Sequence, residues 1–164
     1  MDYQVRNATP EDLQKIQEIY ASARAFMARS GNETQWGTTN PPLHKLQEDL
    51  KKQRLYVLYN ESGIHGVFMF EKGEDPTYRV IEKGSWHSDR PYGVIHRVAG
   101  DGSGGILKAA VEFAEQQADY LRMDTHENNH PMQKALFNRG FSYCGIIYLE
   151  NGETRLAYDR MKTF

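Results

Sequence analysis

Apolar residues recur along the chain in two rhythms, and the changes between them mark out the elements. Tyr3–Asn7 is short and alternating, as in a strand with one buried face. Thr9-Pro10-Glu11-Asp12 then opens a helix, with Thr9 as a cap, Pro10 in the first turn and two acids at the positive helix end. Leu13, Ile16, Ile19, Tyr20, Ala23, Phe26 and Met27 follow at helical spacing until Ser30-Gly31, so this stripe is expected to face inward. Residues 31–42 are a polar loop around Trp36. A shorter helix is predicted over Leu43–Lys52, burying Leu43, Leu46 and Leu50. Leu55–Tyr59 and Ile64–Phe70 read as strands about the turn Asn60-Glu61-Ser62-Gly63. Residues 71–92 lack a clear period, and Tyr78–Ile81 is the one stretch in them that reads as extended.

The second half is more regular. Gly93–Ala99 is a strand, residues 105–118 a helix with Ile106, Leu107, Ala110, Val111, Ala114 and Ala118 inward, and Tyr120–Thr125 a strand. A helix over His130–Arg139 is bracketed by Asn129 in front and Gly140 behind. Phe141–Leu149 and Thr154–Met161 form a closing hairpin about Asn151-Gly152. Antiparallel-looking strands come first, and a strand–helix–strand unit, which usually makes a right-handed parallel crossover, comes later. The expected fold is therefore α/β: a mixed, mostly antiparallel central sheet with helices on both faces, in a single domain over residues 1–164.

Composition narrows the function classes. A formal net charge of −2 with well-mixed signs leaves no basic footprint for nucleic acid. No apolar run is long enough for a membrane span, and the N-terminus lacks the apolar core of a signal peptide. With one cysteine, Cys144, an internal disulfide and a cysteine-cluster metal site are both excluded. A cytoplasmic protein without a metal is expected, and Cys144 is read as a small buried strand residue.

Between the strand at Gly93–Ala99 and the next helix lie four glycines in six positions, Gly100, Gly102, Gly104 and Gly105. Glycines permit tight turns and close approach, and the first N–H groups of a helix lack partners, so such a segment suits a phosphate. A P-loop would need Gly-Lys-Ser/Thr, whereas Lys108 is followed by Ala109. The dinucleotide pattern Gly-x-Gly-x-x-Gly fits Gly100, Gly102 and Gly105, with Asp124 as the distant acid, but no second nucleotide-binding half follows.

Four pieces taken in order are more specific. VRNATPEDLQKIQEIY, YGVIHRVAGDGSGGILKAAVEFAEQ, LRMDTHENNHPMQKALFNRGF and YCGIIYLENGETRLAYDRM resemble the opening strand and helix, the acetyl-CoA strand, loop and helix, the Asn-capped helix with its Gly-Phe ending, and the closing hairpin of the GNAT superfamily of N-acetyltransferases. The resemblance covers nearly the whole chain and implies the acyl-CoA N-acyltransferase fold with acetyl-CoA as co-substrate. It implies that the cofactor arm lies along Arg97, Val98 and Ala99, with the Val98 N–H polarising the thioester. A preorganised donor of this kind is worth about 2.7–4 kcal/mol. Gly102, Ser103, Gly104, Gly105 and Ile106 would cradle the pyrophosphate, while Asn129 and Phe137 would contact the cofactor. Two departures stand out. The family loop reads Gln/Arg-x-x-Gly-x-Gly/Ala, and with Gly105 as its central glycine, Gly102 and Leu107 replace its first and last positions. Where many members carry a tyrosine that protonates the leaving thiolate, this chain has Leu136, beside Phe137.

For the proton that the amine must lose, His96 is the first candidate and His126 the second; a histidine titrates near working pH. Strict alternation would put Val94, His96 and Val98 on one face and Arg97 and Ala99 on the other. Trp36, Tyr78, Trp86 and Tyr92 fall in irregular segments that would border an acceptor cleft, Trp36, Trp86 and Tyr92 being the substrate-contact candidates. Glu33, Glu82 and Asp89 are read as solvated acids. The expected activity is transfer of an acetyl group from acetyl-CoA to a primary amine of a small molecule or peptide; the competitor is a non-catalytic acyl-CoA sensor. The terminal hairpin would allow a homodimer.

Overall fold

A computed structural model of the chain describes residues 2–32, 34–37 and 39–162. Its elements are β1 (Gln4–Asn7), α1 (Leu13–Arg29), α2 (Leu43–Lys51), β2 (Leu55–Asn60), β3 (Gly63–Lys72), β4 (Gly93–Gly100), α3 (Ile106–Gln117), β5 (Tyr120–Thr125), α4 (His130–Asn138), β6 (Ser142–Tyr148) and β7 (Thr154–Met161). The strands form one sheet in the order β1-β2-β3-β4-β5-β7-β6. All neighbours are antiparallel except β4 and β5. The mixed sheet with the loop-bearing strand at its centre is thus as the pattern predicts. No helix among the described residues is long and apolar enough to cross a membrane.

Strand alternation sorts the core onto two faces. Leu58, Phe68, Phe70 and Ile95 pack under Ile106, Ala110, Val111 and Ala114 of α3 and Leu136 of α4. Their neighbours Val57, Val67 and Met69 pack under Ile16, Ile19 and Tyr20 of α1 and Leu46 of α2. Each such fully buried aliphatic or aromatic side chain contributes about 1.5–3 kcal/mol. Phe26 and Leu43, both expected inward, are instead 51% and 43% exposed. Helical spacing identifies the side of a helix but not where the sheet beneath it ends.

The segment 73–92 also departs from expectation. In place of an extended Tyr78–Ile81, a single 3-10 turn covers Pro76–Tyr78, capped by Asp75, which accepts from the Thr77 N–H. Its Tyr78 is fully buried among Val94, Cys144, Ile147 and Ala157. Glu82 forms an isolated backbone β-bridge to the sheet, at Ile146.

The largest departure is in β4. Met69 pairs with His96 and Val67 with Ala99, so Arg97 and Val98 together oppose Phe68. This is a β-bulge, with Arg97 at φ +54°. The extra residue reverses the alternation: Val98 packs toward α3 and Ala99 toward α1, while the Arg97 guanidinium reaches Asp49 of α2. The expected grouping of His96 with Val98 therefore does not hold, whereas Arg97 and Ala99 do share the face covered by α1 and α2.

Left-handed backbone at a non-glycine residue costs about 1–3 kcal/mol and persists only where surroundings over-determine it. Here Tyr20 Oη donates to the Arg97 carbonyl at 2.7 Å. The fully buried Asp49 carboxylate accepts from Arg97 Nε and Nη2 at 3.0 Å each, and from Arg54 Nε at 2.7 Å. Two arginines on one buried carboxylate form the bidentate, charge-assisted contact that can hold such a kink.

Candidate active site

Parallel pairing of β4 with β5 comprises two rungs, Gly93↔Leu121 and Val94↔Arg122. Beyond them the strands diverge, and a cavity of about 850 Å³ lies between and above them. Its walls include Ile95–Val98 of β4, Met123–Thr125 of β5, Asn129 and Met132 of α4, and Gln35 and Trp36 of the α1–α2 loop. Past Val94, the β5-facing edge of β4 has no strand partner among the described residues, and the bulge interrupts its other ladder at the same level. An open strand edge inside a cavity is a template for an extended ligand with amide groups.

At the end of β4 the chain enters the glycine loop, where the glycines divide into two roles. A Cβ on Gly100 would meet Ile106 Cγ1 at 2.6 Å, so Gly100 is needed for close packing. Gly102, Gly104 and Gly105 have φ of +93°, +85° and +76°, a left-handed run that reverses the chain into α3. Tyr3 Oη donates to the Gly104 carbonyl, and Ser103 N–H and Oγ both donate to Asp101. Asp101 also contacts His65 Nδ1 at 2.7 Å. Burial acts to raise the Asp101 pKa, but the bonds from Ser103 and His65 prevail and hold it below the usual range. The α3 ladder begins with the Ala109 N–H on the Gly105 carbonyl. The preceding N–H groups of Ile106, Leu107 and Lys108 are the orphan donors of a helix N-terminus.

His96 sits on β4 immediately before the bulge and lines the cavity. Its Nε2 is 2.7 Å from Asp75 Oδ2, and its Nδ1 is 3.7 Å from Asp124 Oδ2. Asp75 is fixed by Thr77 N–H and Oγ on its other oxygen, and its own N–H donates to Tyr92 Oη. Burial acts to raise the Asp75 pKa, yet the hydrogen bond and charge of His96, with the Thr77 bonds, outweigh it and hold the carboxyl well below its ordinary value. Asp124 accepts from Tyr78 Oη at 2.6 Å. Burial and the neighbouring Asp124 carboxylate push the Tyr78 hydroxyl far above its ordinary range. It therefore keeps its proton; Leu136, the position where the resemblance would place a tyrosine, is fully buried.

The other residues singled out in the sequence divide between wall, scaffold and periphery. Trp36 lines the cavity and meets the Tyr20 ring edge-on at 5.5 Å. Asn129 caps α4 through Met132 N–H, while its Nδ2 donates to Gln35 Oε1 and ties the α1–α2 loop to the cavity wall. Trp86 and Tyr92 stand outside the cavity lining: they sandwich the Arg122 guanidinium at 4.2 and 4.1 Å, and Trp86 Nε1 donates to the Tyr78 carbonyl. They support the segment that carries Asp75 and Tyr78.

His126 also lies off the cavity lining. Its Nδ1 accepts from Asn128 N–H and its Nε2 is 3.3 Å from Thr34 Oγ1. Burial and Arg155 lower its pKa. Phe137 is 76% exposed, away from the cavity wall. Cys144 is buried, as expected. Glu82 accepts from Tyr148 Oη, Asp89 is exposed, and Glu33 lies outside the described residues.

Sequence reasoning missed Asp75 and Asp49. A signal for Asp75 was present in Asp75-Pro76-Thr77, an N-cap followed by proline at the first helical position. Asp49 gave none, because an acid on a short helix reads as solvated.

No protein-family model matches the chain, and no curated protein matches it. Solved structures do. A GNAT-family acetyltransferase from Streptococcus agalactiae superposes with a TM-score of 0.88 at 27% identity, covering 99% of this chain and 96% of that one. A GNAT-family acetyltransferase from Listeria monocytogenes gives 0.70 at 20% identity over 97% and 94% of the two chains. A ribosomal-protein-alanine N-acetyltransferase from Brucella melitensis gives 0.63 at 18% identity over 96% and 99%. The last two share the fold; the first shares fold, length and more than a quarter of its residues. With a seven-stranded sheet that opens between its parallel central strands, the chain has the fold of the GNAT-family acetyltransferases and resembles one of them over nearly its whole length.

Proposed function

We propose that the protein is an acetyl-CoA-dependent N-acetyltransferase that acetylates a primary amine of a small molecule or peptide by direct attack on the thioester. The observation that carries this reading is His96 between Asp75 and Asp124, on the cavity wall where β4 parts from β5. The residues fit acetyl-CoA at both ends. The open edge of β4 from Ile95 to Gly100 offers amide groups to the pantetheine arm, with the Val98 N–H as donor to the thioester carbonyl. Ser103 to Ile106 at the start of α3 would take the pyrophosphate.

His96 handles the proton. Asp75 is ionised and can only accept, so in the neutral form of the ring Nε2 carries the proton and Nδ1, on the Asp124 side, is the nitrogen that can take one. As the amine nitrogen bonds to the carbonyl carbon and the C–S bond breaks, Nδ1 takes the amine proton directly or through one water. The resulting imidazolium then points an N–H at each carboxylate. With Leu136 in the tyrosine's place, the departing thiolate takes its proton from solvent.

An apolar Leu136 in the place of the tyrosine acid also favours a second reading, an acyl-CoA sensor without turnover. Two experiments decide. Thermal shift should show stabilisation by acetyl-CoA and CoA but not by NAD; stabilisation by NAD alone would overturn the family chemistry for this chain. Thiol release from acetyl-CoA across an amine panel should show turnover with at least one amine. Binding without turnover on any amine would establish the sensor instead.

A further inference from the structure

Outside the acetyl-transfer cavity, three side chains of different ligand chemistry converge: His87 from the segment 73–92, Cys144 of β6 and Asp159 of β7. His87 Nδ1 is 2.7 Å from Asp159 Oδ1 and 3.4 Å from Cys144 Sγ. All three ligand atoms lie within 4.8 Å of one another. We propose that this triad is a zinc-class metal site, with two protein charges of −1 from thiolate and carboxylate, one neutral imidazole and a fourth position open to solvent.

The geometry is close to what a tetrahedral ion requires. Bonds of about 2.0–2.3 Å place neighbouring ligand atoms roughly 3.3–3.5 Å apart. The Sγ to Nδ1 separation already matches. The Nδ1 to Oδ1 separation is that of a hydrogen bond, and a small rotation of the carboxylate opens it. Outer contacts hold the carboxylate in place, as metal ligands require: Asp159 Oδ2 accepts from Tyr120 Oη at 2.7 Å and from His87 N–H at 2.8 Å. The His87 ring is 45% exposed while Asp159 is 3% exposed, so the site has an entry path on one side and a dry wall on the other.

Burial and the hydrogen bond to Asp159 push the Cys144 thiol far above its ordinary range. Without an ion the cysteine is a buried free thiol, and binding must remove its proton. The balance is simple: the S–H bond breaks, a metal–sulfur bond forms, and one proton leaves for solvent. The imidazole proton now between Nδ1 and Asp159 is exchanged for one on Nε2, with no change of oxidation state. The guanidinium of Arg122 is a fixed cation near the thiol; it is engaged by Ser88 O and Tyr120 Oη and lies between aromatic rings. An ion here would pin His87 to β6 and β7, and with it the segment that supplies Asp75 to the acetyl-transfer cavity.

The test uses the full chain, stripped with a chelator and titrated with cobalt(II) and then zinc(II). One ion per chain is expected, with a cobalt–thiolate charge-transfer band and tetrahedral ligand-field bands that zinc abolishes, and about one proton released per ion. His87→Ala, an exposed position, should weaken zinc binding by at least the roughly 10–100-fold typical of losing even an outer hydrogen-bond partner of a ligand. Cys144→Ala should remove the charge-transfer band. A wild-type cobalt spectrum without a thiolate band would overturn the proposal, as would zinc affinity unchanged in both variants. Neither readout depends on acetyl transfer, so its failure leaves the acetyltransferase reading untouched.

Discussion

His96–Asp75 and His87–Asp159 make the same contact, 2.7 Å from ring nitrogen to carboxylate, and both join the segment 73–92 to the sheet. What separates them is the third partner. At His96 it is a second carboxylate, Asp124, on the ring's other nitrogen, and the whole group opens onto the cavity. At His87 it is a thiol on the same nitrogen, Nδ1, away from the cavity lining. A carboxylate at either end of an imidazole organises proton transfer, whereas a thiol and a carboxylate beside one nitrogen organise coordination. A histidine–aspartate pair alone therefore says little about function, and the residue beside it says most.

Substitution at the two histidines separates them most sharply. His96→Ala should lower kcat by about 10²–10⁴-fold, the usual worth of a general base, with little change in acetyl-CoA binding, whereas His87→Ala, which reaches the site only through the segment that carries Asp75, should lower it by far less. Steady-state thiol release for both variants checks this, and equal losses would erase the distinction. The next largest effect lies beneath the site. Asp49→Ala leaves Arg97 and Arg54 without their shared buried carboxylate and should cost about 3–5 kcal/mol, read by urea denaturation. A cost below about 1 kcal/mol would show that the bulge holds its shape without that pair.

Acid titration distinguishes the carboxylates. The Asp75 pKa is lowered on folding, so its stabilising contribution is complete above the unfolded value near about 3.9 and is lost as pH falls through the depressed folded value. Asp75→Asn should flatten the acid limb of the stability curve below about pH 4 while leaving the limb due to Asp159 in place. A curve parallel to that of the wild type would mean that His96 does not hold Asp75 ionised. The smallest expected effect is in the loop. Gly102→Ala meets no neighbour, but it sits at φ +93° and should cost about 1–2 kcal/mol, seen as a lower Tm together with weaker CoA binding. An unchanged Tm would show that this backbone can adopt another conformation.

The helices, the strand order and the glycine loop were legible because each is written locally, in a period of 3.6 or 2 or in a cap. The bulge was not. Arg97 is a β-compatible residue forced to positive φ by Tyr20 and Asp49, which stand 77 and 48 positions away. No window along the chain contains that contact, and the alternation it reverses misplaced Val98. The segment 73–92 was opaque for a related reason. Its path is held by side chains, Asp75 to His96, Trp86 to Tyr78 and His87 to Asp159, rather than by a periodic backbone pattern. Trp86 and Tyr92 looked like a cleft lining because exposed-looking aromatics in loops often are; here Arg122 fills the space between them. His96 was found by position on its strand, while the two carboxylates that give it a role came only with the fold.

A crystal structure of the protein with CoA tests the central claim most directly. The pantetheine arm should lie along β4 between Ile95 and Gly100, with the pyrophosphate at residues 103–106 and the sulfur beside His96. CoA bound outside the opening between β4 and β5, or with its sulfur remote from His96, would contradict it.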